Sequence, residues 1–509
     1  MVYATIISDV FAKKTAPKRW IMLFNSYVFI LLFLPITILG YFGWNHFGKY
    51  QTAKAFLFGM SLWFYGYFRP SYLVILVTSI LVNYAIYRFL SLPDKPKNIR
   101  KTIMILGVVL NLGTLGYFKY LDYLFKQINL IFHADLPILG IVLPLGISFF
   151  TFQQLGFVID AYRGETKEYS ILDYALFVAF FPQLVAGPIV TYAEMIPQFQ
   201  DASKKRFNAE HLANGVVYFI LGMSKKLLLA DAFGRVVDYA WATVDYMRPA
   251  DVCVTALSFY LQIYFDFSGY SDMAIGLGKM LNLELPVNFN SPFKAITIAD
   301  YWKRWHMTLT RFFTKYVYIP LGGNRKGTAR TYLNVFLVFL LSGIWHGAGT
   351  GYVVWGISGG IGIIVCKMLA KPLDKLGQNK VSAAGLWLFT MIYVAFFFSF
   401  FRAEDAGLGL HFFARLLPSV SGSAVGIMKD FPKILFDLSG LGYKVQTMQT
   451  PICFGFNLLS FFIATCMPNV REIASRFRYT AIRAIGLAAL FMLCFLSLSG
   501  VATYIYFNF

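Results

Sequence analysis

The sequence predicts an all-α polytopic membrane protein, and three observations carry that prediction. The 509-residue chain is 58% hydrophobic and only 14% charged, with a mean hydropathy of +0.60. A soluble chain carries about a quarter charged residues. Several apolar runs approach or exceed the roughly 20 residues that cross a bilayer as a helix. The runs are continuously apolar and do not alternate, which argues against a closed β-barrel.

Taken in order, the expected spans are 22–44, 52–66, 70–90, 102–125, 138–159, 171–190, 212–231, 252–280, 331–347, 352–369, 384–401, 451–467 and 484–508. The stretch before the first span carries four basic residues (Lys13, Lys14, Lys18, Arg19), and no small-residue cleavage site follows the span, so no cleavable leader is expected. Residues 136–160 and 180–188 place Gly and Pro inside apolar sequence and predict re-entrant or kinked pieces. Non-helical backbone at membrane depth must line a protein-enclosed or watery space, so these pieces predict an internal site. No internal repeat is visible, which weakens a transporter built from inverted repeats.

The net charge of +20 comes from 45 basic against 25 acidic residues. Beside membrane spans such residues set topology and contact anionic lipid head groups, and they can also draw in an anionic substrate; no nucleic-acid partner is expected. The basic loops 91–101 and 303–330 are expected in the cytoplasm. The N-terminal segment is basic too, and three spans between it and Ser91 put the two on opposite sides, so charge rule and span count conflict there. Cys253, Cys366, Cys453, Cys466 and Cys494 have no CxxC spacing and read as small buried hydrophobes.

Residues 299–325, ADYWKRWHMTLTRFFTKYVYIPLGGNR, break the apolar pattern, with seven Lys or Arg between Lys303 and Arg330. Drawn as a helix at about 100° per residue, Trp302, Trp305, Leu309, Phe312, Phe313 and Tyr316 share one face, while Arg304, Thr308, Arg311 and Lys315 share the other. That is an interfacial helix, with His306 at the edge of its apolar arc and directed to the membrane side.

Six histidines are present. His46, His133 and His211 beside loops or span ends, and His411 in an amphipathic stretch, read as solvated surface groups. His346 ends an apolar run in LLSGIWHGAG (340–349), and an ionisable group at membrane depth is a functional candidate. The competing reading is a histidine satisfied by a backbone carbonyl at a helix end. Imidazole suits general-base work in acyl transfer because its unperturbed pKa of about 6.5 needs little tuning. No HExxH, His/Cys cluster or GxSxG elbow is present, so neither a metal site nor a serine nucleophile is predicted.

A second polar set lies in apolar context: Gln153, Gln154, Gln183, Asp266, Ser268, Tyr270, Asp272, Asn288 and Asn290. Buried carboxylates must be paired or neutral, and the expected partners are the basic residues of 303–311. Structural glue and site lining both fit this set.

Four stretches in order and spacing, DFSGYSDMAIGLGKMLNLELPVNFNSPF, ADYWKRWHMTL, YVYIPLGGNR and LLSGIWHGAG, resemble the membrane-bound O-acyltransferase family, and within it the bacterial alginate O-acetyltransferase-like branch. MLFNSYVFILLFLPI (22–36) resembles the start of that branch, and FFRAEDAGLG (400–409) fits it as well, so 22–509 is expected to be one membrane domain with 1–21 as an extension. The resemblance implies a ring of transmembrane helices around a central funnel, with re-entrant and interfacial helices. It puts His346 and His306 in catalytic positions. Trp305, Lys303, Arg304, Arg311, Asp266, Ser268, Tyr270, Asp272, Asn288, Asn290, Gln154, Gln183 and Trp345 are the expected substrate contacts.

The resemblance further implies a multi-pass protein of the cytoplasmic membrane that holds no bound cofactor. Its donor would be a cytoplasmic acyl thioester, acetyl-CoA or a phosphopantetheinyl carrier protein, and its product an O-acetylated extracytoplasmic polysaccharide. A separate periplasmic or extracellular SGNH-type acetyltransferase and glycan-synthesis machinery are the implied partners. Lys303, Arg304, Arg311, Lys315, Arg325 and Lys326 would form a basic rim for the anionic donor. D-alanyl transfer to teichoic acid is an alternative, disfavoured because that branch lacks IPLGGNR and the long part after Phe400. A transporter is another, since broken helices and buried polar groups would suit one.

Overall fold

The computed structural model describes residues 22–417 and 449–500, so the expected extension 1–21 lies outside the described residues. The principal helices are α1 (Leu34–His46), α2 (Tyr50–Phe68), α3 (Ser71–Leu90), α4 (Lys97–Phe132), α5 (Ile147–Arg163), α6 (Ile171–Ala179), α7 (Tyr192–Gln200), α8 (Ala209–Ser224), α9 (Asp231–Ala242), α10 (Pro249–Met280), α11 (Ile298–Arg304) and α12 (Met307–Phe313). They continue with α13 (Thr328–His346), α14 (Thr350–Met368), α15 (Ala370–Gln378), α16 (Lys380–Ala403), α17 (Ala406–Ala414), α18 (Gln449–Cys466), α19 (Val470–Ser475) and α20 (Ala481–Leu496). Among the described residues there is no strand.

Among the described residues, six helices are long and apolar enough to cross a membrane: Phe29–His46, Ser71–Leu90, Lys97–Phe132, Thr328–His346, Thr350–Met368 and Lys380–Ala403. Their outer flanks leave large apolar side chains uncovered, such as Val109, Leu130, Ile361 and Phe389. In lipid those flanks need no protein cover. Of the expected spans, 52–66, 138–159, 171–190, 212–231, 252–280, 451–467 and 484–508 are not among the six, although helix forms within each; the end of the last, 501–508, lies outside the described residues. α10 is buried along nearly its whole length. The expected break before α5 is present as non-helical chain from 133 to 144, and Phe180 interrupts the helix between α6 and the single turn Phe181–Leu184.

α8 and α10 touch backbone to backbone. A Cβ on Gly215 would stand 2.6 Å from the carbonyl oxygen of Gly276, and one on Gly222 would stand 2.6 Å from that of Gly269. Small residues at this spacing allow close packing in a membrane, and that proximity settles the buried charges. Lys226 binds Asp266 at 2.5 Å and Asp231 at 2.7 Å, while Lys225 binds Asp272 at 2.7 Å and donates to Ser268 at 3.4 Å. The expected pairing of Asp266 and Asp272 with residues 303–311 is therefore corrected: Lys225 and Lys226, which follow α8, reach both carboxylates first.

One face of the protein gathers the basic loops. Tyr87 and Tyr84 donate to the carbonyls of Lys167 and Tyr169, Arg100 donates to that of Tyr162, and Lys315 bridges Asp160 and Glu165. Loop 91–96, loop 164–170 and Lys315 thus lie together. The Lys315 ammonium, hydrogen-bonded to Glu165, holds that carboxyl below the usual carboxylate range. Of the cysteines, Cys494 is buried and Cys366 half-buried, whereas Cys253 and Cys466 are exposed, contrary to a uniformly buried set. Cys453 lies outside the described side chains.

Candidate active site

The segment expected as one interfacial helix is two. α11 ends at Arg304, Trp305 is extended, and His306 takes a left-handed conformation (φ 45°, ψ 53°) before α12 begins. A left-handed non-glycine residue stores roughly 1–3 kcal/mol and persists only where its surroundings fix it. Here the fixing segment is residues 288–290. The Asn290 amide donates to the Arg304 carbonyl and the Met307 amide to the Asn288 carbonyl, both at 3.0 Å. The Asn288 side chain donates to Ser271 (3.1 Å) and accepts from Thr308 (2.7 Å), whose oxygen in turn accepts the Ile189 amide (3.0 Å). The kink turns His306 away from the surface, leaving it 2% exposed with its ring edge-on to Phe267 at 4.7 Å.

His346 arrives from the other direction, as the last residue of α13. α13 and α14 cross at Gly343 and Gly356, close enough that a Cβ on Gly343 would lie 2.4 Å from the Tyr352 carbonyl oxygen. The crossing brings Trp355 to 4.8 Å from the His346 ring, with Trp345 at 4.8 Å and Phe401 at 5.3 Å. His346 Nδ1 is 2.6 Å from the Ser342 carbonyl oxygen. A carbonyl only accepts, so in the neutral ring Nδ1 carries the hydrogen and Nε2 keeps the lone pair. The two readings of His346, a helix-end histidine bonded to a carbonyl and a base at membrane depth, are therefore compatible.

Forty positions apart in sequence, the two imidazoles stand 6.4 Å apart, centroid to centroid. Both line a cavity of about 590 Å³ that also takes in Trp302, Trp305, Phe339, Ser342 and Trp355. Asp300, Lys303, Lys367 and Asp374 also line it; Lys303, Lys367 and Asp374 are exposed, and Lys367 stands at the end of α14 remote from His346. The arrangement is a mostly apolar passage with two imidazoles at its depth and charge at its mouth. It suits a long, slender substrate whose reacting atom is carried inward and whose charged end stays at the surface. In such a dry site an imidazole with a fixed tautomer can accept a proton from a hydroxyl as it attacks an acyl carbon.

Of the other sequence-predicted residues, Trp305 and Lys303 line this cavity. Trp345 packs between Phe152 (5.0 Å) and His346. The remainder are held elsewhere. Arg304 binds Asp300 at 2.9 Å and Arg311 binds Glu194, so part of the expected basic rim is internally paired. Gln154 joins Ser79 and Tyr174, Gln183 donates to the Phe177 carbonyl, and Tyr270 stacks on Phe24 at 4.8 Å. Asn288 and Asn290 brace the His306 kink, and Asp266, Ser268 and Asp272 serve the α8–α10 contact. Trp302, Trp355, Lys367 and Asp374 were missed, and nothing local in an apolar run or a surface helix marks them. Lys119 was missed as well, although a lysine inside an apolar span is itself a signal. The surface readings hold for His46 and His133, whereas His211 is half-buried against Asn282 and His411 is 2.7 Å from Asp245.

The sequence model of the MBOAT, membrane-bound O-acyltransferase family, matches residues 110–403, which include both histidines. A peptidoglycan O-acetyltransferase of Helicobacter pylori is 35% identical over 97% of this chain and 98% of its own length. A probable alginate O-acetylase of Pseudomonas putida is 35% identical over 78% of this chain and 79% of its own. A teichoic acid D-alanyltransferase of Bacillus subtilis is 27% identical over 51% of this chain and 69% of its own.

Proposed function

The chain belongs to the membrane-bound O-acyltransferase family and is a multi-pass membrane acyltransferase, and on that premise we propose that it moves an acetyl group from a cytoplasmic thioester to an extracytoplasmic polysaccharide. The observation that carries the reading is the meeting of His306 and His346, 6.4 Å apart, at the depth of a cavity whose mouth holds Lys303 and Lys367. The donor's phosphate-bearing end stays at the mouth, on the cytoplasmic side of a cytoplasmic membrane, and its pantetheine arm carries the acetyl group inward. His346 Nε2 takes the proton of the acceptor hydroxyl as the oxygen–acyl bond forms. The carbon–sulfur bond breaks, and the departing thiolate leaves as the thiol with the proton now on the His346 imidazolium. His306 lies one ring away and serves the thioester carbonyl. An SGNH-type transferase on the outer face completes delivery to the glycan. The two O-acetylating relatives cover most of this chain at 35% identity, which supports acetyl over D-alanyl transfer.

The test uses the protein in proteoliposomes. [14C]acetyl-CoA or a [14C]acetyl carrier protein is supplied on one side, and the SGNH-type transferase with peptidoglycan fragments or alginate oligosaccharides on the other. Label appearing as base-labile O-acetyl groups on the oligosaccharide is the expected result. Solute uptake with no acetyl transfer would overturn the proposal in favour of a transporter.

A further inference from the structure

Lys119 stands in the second half of α4, in YFKYLDY, within a helix long and apolar enough to span the membrane. An ammonium there is expensive unless it serves a site. Its Nζ donates to the carbonyl oxygens of Trp345 (2.5 Å) and His346 (3.0 Å). The neighbouring Tyr120 hydroxyl donates to the Ile344 carbonyl at 2.6 Å. These are three consecutive carbonyls at the end of α13, where a helix has no amide donors of its own to offer them. The usual cap is missing as well, because Gly347 is extended (φ −167°) and does not fold back in the left-handed conformation.

We propose that Lys119, supported by Tyr120, is a positioning residue for His346: it caps the end of α13 from a neighbouring helix and so fixes the backbone from which the imidazole projects. The proposal rests on His346 being the base. The ring is then held from two sides, by the Ser342 carbonyl on Nδ1 and by Lys119 on its own backbone carbonyl. Lys119 also lies over the Trp345 ring at 5.7 Å, and Trp345 is packed on His346. The hold comes from α4, a mostly lipid-facing helix, so the outer wall of the protein sets the geometry of its interior.

The experiment measures kcat and donor KM for [14C]acetyl-CoA transfer in the proteoliposome assay, with His346→Ala alongside. A misplacement of roughly 1 Å at a reacting group costs about 100-fold in rate. Lys119→Met is expected to lower kcat by about 10- to 100-fold on that basis, with donor KM changed less than about 3-fold. Lys119→Arg, which keeps the charge and the donors, is expected to recover most of the loss. A folded Lys119→Met protein with kcat within two-fold of wild type, or with its loss confined to KM, overturns the proposal. Should Lys119→Met fail to give monodisperse protein, Tyr120→Phe decides: a several-fold lower kcat supports the cap and an unchanged one overturns it. An active His346→Ala protein would instead overturn the assignment of the base, so the two failures are told apart.

Discussion

Gly343→Ala probes the claim that backbone contact between α13 and α14 sets the catalytic geometry. The added Cβ would sit 2.4 Å from the Tyr352 carbonyl oxygen and 3.1 Å from the Gly356 Cα, whereas ordinary contact begins near 3.4 Å. Both neighbours are backbone, so no side-chain rotamer relieves the clash and the helices must part by about 1 Å. His346 lies three residues further along α13, under one helical turn, and moves with it. Overpacking of this kind costs about 1–3 kcal/mol of stability. A shift of roughly 1 Å at a reacting group costs about 100-fold in rate. The protein should therefore fold, with a lower thermal midpoint, and should lose about two orders of magnitude in acetyl transfer. A Gly343→Ala protein with transfer within two-fold of wild type would refute the argument. Gly377→Ala, where a Cβ meets nothing within 4 Å, is the control.

Three further outcomes follow from the same structure. Lys225→Met strands Asp272 at the α8–α10 contact and should destabilise the protein by about 3 kcal/mol in detergent unfolding, while Lys225→Met with Asp272→Leu should recover most of that. With the other four cysteines replaced by alanine, acetyl-CoA at ten times its Kd should slow maleimide modification of Cys366, on the cavity wall, by about ten-fold; equal rates with and without it would contradict the cavity as the donor path. Asp405 caps α17, and the Leu408 amide holds its carboxyl below the usual carboxylate range. A depressed folded-state pKa stabilises above the unfolded value of about 3.9 and is lost as pH falls through the folded one. Asp405→Ala should thus lower the midpoint at neutral pH and leave it little changed at strongly acidic pH.

Much of this was legible in the sequence, and the parts that were not share a cause. Composition and run length give the helical membrane class, Gly and Pro at 136–160 and 180–188 mark broken helices, and the ends of two segments mark the histidines. The kink at His306 was hidden because a helical projection assumes one continuous axis; Asn288 and Asn290 stood out as polar residues, but their backbone hydrogen bonds to Met307 and Arg304 leave no side-chain pattern. The partners of Asp266 and Asp272 were misassigned because segment 303–311 and the true partners lie at similar distances in sequence, and only the packing of α8 on α10 decides between them. The lysines that reach them are 40 and 47 positions away. The hold of Lys119 on His346 spans 227 positions. Pairings of that length depend on which helices pack together, and a single sequence does not disclose it.

The central claim is that His346 carries the proton transfer in acetylation of an extracytoplasmic glycan. The most direct measurement is the base-labile O-acetyl content of envelope polysaccharide, by mass spectrometry, in cells that lack their own copy and express His346→Ala at wild-type level in the membrane. The account predicts that acetylation disappears. Wild-type acetylation by the inserted His346→Ala protein would contradict it.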